Sequence, residues 1–142
     1  MSKIDGFYTA CENIKENNFK NITTINAAIS DVTGQGTIND HTLSKVSKTN
    51  HAKQTQNCNL LSIDDLLEKY QINDIDFLKM DVEGSEFLIF QKTSWLDKVK
   101  IIVMEAHQKY GNVSQIVNTL EKKGFNVNKI FNGNTYYVFA KR

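Results

Sequence analysis

Two short acidic runs hold the side chains in this sequence best suited to chemistry. One is Asp81-Val82-Glu83-Gly84-Ser85-Glu86 and the other is Glu105-Ala106-His107. Each ends an apolar run of the kind that forms a strand, residues 75–81 (IDFLKMD) and 99–104 (VKIIVM). In an open α/β sheet, ligands bind beyond the carboxyl ends of the strands, so polar residues at those ends are the ones to weigh. If the two strands are neighbours, Asp81 and Glu105 project into one crevice. Glu105 and His107, two apart, share a face if the strand runs on. Paired carboxylates can bind a divalent metal through oxygen, hold ligand hydroxyls or serve as a base. His107 suits a general base, because a neutral imidazole offers a bare ring nitrogen to accept a proton.

A plainer account of the same residues stands beside this one. Asp81 or Glu83 at the start of a helix is stabilised by roughly 0.3–1 kcal/mol through the helix dipole. Gly84 can serve only to let a helix pack closely on a strand, and a histidine at a strand end is often structural. Lys79, inside a strand of buried type, must snorkel or pair, and Asp81 on the same face is its candidate partner.

The elements that must position these groups follow from periodicity and punctuation. Phe7, Cys11 and Ile14 form the stripe of an amphipathic helix, and Asn17-Asn18 supplies its stop. Residues 22–29 (ITTINAAI) are β-branched and predict a strand, with a turn at 31–36. Residues 35–59 are polar, with Ile38, Leu43, Val46, Ala52 and Cys58 scattered among them, and predict a long lid or binding loop. Alternation at Thr37-Ile38-Asn39 points to an edge strand within it, and His41 and His51 there show no ligand geometry. Ser62 with Asp65 three residues on is a capping-box pattern opening a helix with Leu66, Leu67 and Tyr70 on one face. Residues 84–91 read as a helix docked on the sheet, Trp95 and Leu96 as its packing exit, and 99–104 as a central parallel strand covered on both faces. Asn112 caps a helix carrying Val113, Ile116, Val117 and Leu120, which Gly124 ends. Lys122 and Lys123 sit on its solvated end. Asn132-Gly133-Asn134 joins two final strands in a hairpin. Helices alternating with strands predict one α/β sheet, mostly parallel, with a C-terminal antiparallel hairpin.

Composition bounds the rest. A chain of 142 residues, 40% of them hydrophobic, is one domain with a core of useful size. With 17 basic and 16 acidic residues the net charge is +1, which excludes a nucleic-acid coat or a basic membrane-surface protein. Cys11 and Cys58 lack any zinc or disulfide-framework spacing and suit a reducing cytosol. No apolar run approaches membrane-spanning length, and none follows Met1 as a leader would, so the expectation is a cytoplasmic protein with no membrane partner.

Residues 75–86, IDFLKMDVEGSE, closely resemble the core motif of the FkbM-type methyltransferases. Asn26-Ala27-Ala28-Ile29-Ser30-Asp31 with Gly34 resembles that family's "AAxSD…G" segment, and 61–67 (LSIDDLL) its "SLDDLL". The VMEAH ending at His107 and the Gly124-Phe125 start of the hairpin are similar too, so the likeness covers nearly the whole chain in order. What it implies is a Rossmann-like class I methyltransferase using S-adenosylmethionine, usually methylating a hydroxyl oxygen of a small molecule or glycan. On this likeness Ala28, Ile29 and Ser30 line the adenine with Val82 nearby, and Asp81 faces the methionine end and the reacting centre. Asp81, Glu105 and His107 are then the catalytic set, and no metal is assigned to it. The family's usual opening, a strand, a Gly-rich turn, a helix and a second strand ending in an acid, finds no match here. Gly6 is the only early glycine, and no GxG-type turn occurs ahead of Ala28. The expectation is therefore a domain short of one N-terminal βαβ unit, with little cofactor binding alone and a sheet lacking the neighbour between its halves. A complementing fragment or a homo-oligomer would supply the remainder; the alternative is a non-catalytic binding module that partners another polypeptide.

Overall fold

The computed structural model describes residues 3–39, 42–45 and 56–142. The N-terminal stripe becomes helix α1 (Lys3–Glu16), with Phe7, Cys11 and Ile14 half-buried. Asn18 ends it in the left-handed region at φ 55°. The Phe19 amide donates to the Ile14 carbonyl and the Asn18 amide to the Lys15 carbonyl, the paired bonds of a Schellman stop.

The next elements depart from the sequence expectation. Of residues 22–29 only the end is regular, as β1 (Ala28–Ser30). The polar stretch instead supplies strands β2 (Gly34–Asn39), β3 (Thr42–Lys45) and β4 (Gln56–Ser62). Backbone hydrogen bonding along a ladder overrides polar composition there, as it can wherever one strand of a hairpin finds a partner. The edge strand hinted at by Thr37-Ile38-Asn39 is present, with Ile38 opposite both Leu43 and Gln56. His41, Val46, His51 and Ala52 lie outside the described residues.

Helix α2 (Ile63–Lys69) follows directly and is capped as its sequence predicts. The Ser62 hydroxyl accepts from the Asp65 amide at 3.1 Å, and Thr33 and Ser62 both donate to the Asp65 carboxylate. Those hydroxyls hold the Asp65 carboxyl below its ordinary range. Then come β5 (Ile75–Met80), a short helix α3 (Glu86–Ile89), a 3-10 turn at Ser94–Lys98 and the long strand β6 (Val99–His107). A second 3-10 turn (Gln108–Tyr110) leads to α4 (Val113–Lys122). Asn112 caps α4 by accepting from the Ser114 amide at 2.9 Å, and Gly124 closes it at φ 84°. Lys123, expected on a solvated face, is drawn to Asp97 at 2.9 Å. The hairpin β7 (Asn126–Asn132) and β8 (Thr135–Lys141) turns on Gly133-Asn134, within the expected Asn132-Gly133-Asn134 link, and Asn132 itself pairs with Thr135.

Among the described residues the strands form two mixed sheets, ordered β1-β4-β2-β3 and β5-β6-β8-β7, rather than one mostly parallel sheet. β1 runs parallel to β4 and β5 parallel to β6, while every other pairing is antiparallel. The reason is the hairpins: β2–β3 and β7–β8 are short connections, which only antiparallel strands allow. The outer edges of β1 and β5 carry no strand partner among the described residues. That explains Lys79. The expected buried strand is an edge strand, and the lysine side chain is 64% exposed beside Asp81 at 3.8 Å.

The core lies on one face of the second sheet. Ile102, Met104 and Ala106 of β6 and Val138 and Ala140 of β8 meet Trp95, Leu96, Ile116 and Leu120 there. The other face of β6, with Ile101, Val103, Glu105 and His107, is only half-buried, so this strand is not covered on both sides as its composition suggested. Phe77 of β5, Phe139 of β8 and Ile130 of β7 are exposed. Cys11 and Cys58 are half-buried, and the Cys11 thiol lies 3.4 Å from the Thr24 hydroxyl. No helix among the described residues is long and apolar enough to cross a membrane.

Candidate active site

Parallel pairing of β5 with β6 sets the site. Met80 lies opposite Met104, so Asp81, just past the end of β5, comes beside Glu105, near the end of β6. His107 follows on the same face of β6. One ligand atom from each of Asp81, Glu105 and His107 lies within 4.8 Å of the others, as expected if the strands were neighbours. Asp81 is exposed and drawn to Lys79, while Glu105 and His107 are half-buried.

The chain then makes an unusual turn. Glu83 takes φ 51° and Gly84 φ 102°, two successive left-handed residues between Asp81 and α3. A side chain at Gly84 would place its Cβ 2.3 Å from Cδ2 of Tyr110, so the missing side chain makes room for that ring. Tyr110 in turn stands edge-on to His107, with ring centroids 6.3 Å apart. Gly84 therefore does more than permit close packing of a helix on a strand. Gly84→Ala is expected to cost about 1–3 kcal/mol from the left-handed backbone and the displaced ring, read as a lower urea midpoint.

The turn also delivers a residue that the sequence did not single out. Glu86, the first residue of α3, is fully buried. One of its oxygens, Oε1, lies 3.2 Å from Nδ1 of His107. The other, Oε2, has no hydrogen-bond partner. On the far side of the imidazole, Nε2 lies 3.7 Å from Oε2 of Glu83, whose side chain is 54% exposed. Burial pushes the Glu86 carboxyl above the ordinary glutamate range, and the backbone amides at Glu86 and Gly84 together with the bond to His107 oppose that only in part. An acid at the head of a helix gives no sequence signal for this role, and Glu86 and His107 are 21 residues apart in the chain.

A carboxyl whose pKa rises on folding adds stability below its unfolded-state pKa and loses it as the pH climbs through the native value. At neutral pH the buried charge of Glu86 is therefore a net cost. Glu86→Gln should raise the urea midpoint at about pH 7.5, and the gain should shrink as the pH falls and be gone by about pH 3, below the unfolded-state pKa of roughly 4.3.

The residues expected around an adenine are placed less openly. Ser30 is buried and its hydroxyl donates to Asp31 at 3.1 Å. Ala28 is half-buried, and Ile29 and Val82 pack against the core cluster. α3 lies against β1, which brings this strand next to the turn that carries Glu83 and Gly84.

What fold and site define together is a mixed α/β domain with an acid–imidazole cluster at the carboxyl ends of a parallel strand pair. The chain belongs to the methyltransferase FkbM domain family, whose model matches residues 8–127, a span that includes the greater part of α1, both parallel strand pairs and every residue of the cluster. No curated protein and no solved structure gives a significant match.

Proposed function

We propose that the domain transfers a methyl group from S-adenosylmethionine to a hydroxyl oxygen of a small molecule or glycan. The observation that carries this is the convergence of Asp81, Glu105 and His107 within 4.8 Å at the strand ends of a methyltransferase-family domain. The residues present fit the cationic end of that cofactor in charge, because the clustered carboxylates of Asp81 and Glu105, with Glu83 beside His107, would attract an ammonium and a sulfonium. Ala28, Ile29, Ser30 and Val82 are the candidates for its adenine. The cofactor, when bound, supplies an electrophilic methyl group.

The chain's own part is positioning and proton handling. Asp81 and Glu105 orient the acceptor hydroxyl, and His107 takes its proton at Nε2. The imidazolium so formed stands between two carboxylates, Glu86 at Nδ1 and Glu83 at Nε2, which favour its charge.

Cofactor binding on this reading needs a further strand–turn–helix unit from outside these 142 residues. Two observations support that. The outer edges of β1 and β5, both members of parallel pairs, are unpaired among the described residues. The adjoining face of the second sheet exposes Phe77 (58%) and Phe139 (41%), where parallel sheets normally carry helices.

The test is calorimetric titration with S-adenosylmethionine, on the chain alone and on the chain joined to a strand–Gly-rich turn–helix–strand unit from a family member. Binding by the joined protein alone is expected. Micromolar binding by the chain alone would overturn the need for a further unit. Failure of the joined, folded protein to bind would overturn the methyltransferase assignment and favour the binding-module alternative.

A further inference from the structure

We propose that Glu86 is the positioning residue of this site: its buried carboxylate accepts the Nδ1–H of His107 and so fixes the neutral tautomer in which Nε2 is bare. The inference rests on the assignment of His107 as proton acceptor, but its first test does not.

Three features lead there. The imidazole is held on a 15% exposed side chain, with Nδ1 turned inward to Glu86 at 3.2 Å and Nε2 on the side of the exposed Glu83. A carboxylate can only accept, so an ionised Glu86 requires the proton on Nδ1. The second feature is the orphaned Oε2 on a side chain with 0% exposure. A buried acid with an unpaired oxygen destabilises its surroundings, and glutamine or leucine would fill the space at lower cost. Dipole stabilisation at α3 does not repay it, because that helix is four residues long and has little dipole. The third is the turn itself. Two consecutive left-handed residues, Glu83 and Gly84, carry the chain from Asp81 to Glu86, so one strained segment delivers a carboxylate to each nitrogen of the same ring.

A proton acceptor must present a bare nitrogen, and imidazole has only one in its neutral form. Fixing Nδ1–H at Glu86 makes Nε2 the acceptor in every molecule. The ring also cannot rotate to exchange its nitrogens without leaving Nδ1–H unpaired in the interior.

The test is nitrogen NMR of the His107 side chain in the full 142-residue chain, at a pH where the ring is neutral. Nitrogen shifts report which atom carries the proton, and they need neither cofactor nor acceptor. The wild type is expected to show Nδ1–H. Glu86→Leu should move the proton to Nε2, the tautomer that imidazole prefers in water. Glu86→Gln should keep Nδ1–H, because the amide oxygen still accepts. A wild-type ring with Nε2–H, or one that stays doubly protonated well above neutral pH, would overturn the proposal. So would a folded Glu86→Leu protein that retains Nδ1–H. If Glu86→Leu does not fold, the wild-type tautomer and Glu86→Gln still decide.

In the joined protein, Glu86→Leu should lower kcat by roughly 10²-fold or more with KM nearly unchanged. Glu86→Gln should restore the greater part of that loss. Absence of methyl transfer in all three proteins would defeat the proposed reaction and leave the tautomer result standing.

Discussion

Asp81→Ala should reduce methyl transfer by the joined protein on the order of 10²- to 10⁴-fold, the range seen when a charged or proton-transferring group is removed from a reacting centre. The expectation comes from where the side chain stands. Asp81 is the first residue beyond β5, shares a 4.8 Å cluster with Glu105 and His107, and is exposed to whatever enters between the strand ends. Its one described ion pair, with Lys79 at 3.8 Å, lies on the surface, where such pairs contribute about 0–1 kcal/mol. Stability should therefore hardly move, within about 0.5 kcal/mol. Initial rates with saturating S-adenosylmethionine, read beside a urea curve for the same variant, separate the two effects. Near-normal turnover would remove Asp81 from the site.

Trp95→Ala works the other way, through the fold alone. The indole is 1% exposed, stands edge-on to Phe90 with ring centroids 5.5 Å apart, and donates from Nε1 to the Lys92 carbonyl at 2.8 Å. Truncation empties the region between the exit of α3 and the start of β6 and leaves that carbonyl to find water. A loss of about 3–5 kcal/mol is expected for a buried tryptophan. Set against the 5–15 kcal/mol that holds a typical domain together, that is enough to unfold a substantial fraction of the chain at 37 °C. Circular dichroism during urea and thermal unfolding measures it. A shift below about 1 kcal/mol would show that the cluster around Trp95 tolerates a cavity.

Much of the second sheet was legible before any coordinates, because its signals are local. The Asn112 cap, the Gly124 stop and the apolar run at 99–104 each act within a few residues, and each is where the sequence places it. Asp81, Glu105 and His107 were legible for a related reason: a strand end fixes the direction of a side chain, and only the neighbour relation of β5 and β6 had to be supplied. The first sheet was not legible. Residues 22–26 carry the β-branched side chains of a strand and form none, whereas polar residues 34–39 and 56–62 form long ones. Their order comes from ladders such as Gly34 opposite Leu60, a pairing that no window of the sequence contains. Glu86 escaped for the same reason as the sheet. Its partner is 21 residues away, and an acid opening a helix looks ordinary until its burial is known.

The edge of β5, unpaired among the described residues, also bears on handling the protein. A strand with unpaired amides and carbonyls is a template for another copy, and here it carries Phe77 at 58% exposure. Asp76 and Lys79 break up the apolar run and act as gatekeepers against self-pairing. The whole chain helps them little, since its net charge is only +1 and its pI about 7.7, so copies scarcely repel near neutral pH. The isolated domain should stay dispersed longest in buffers well away from that pI, and at low concentration.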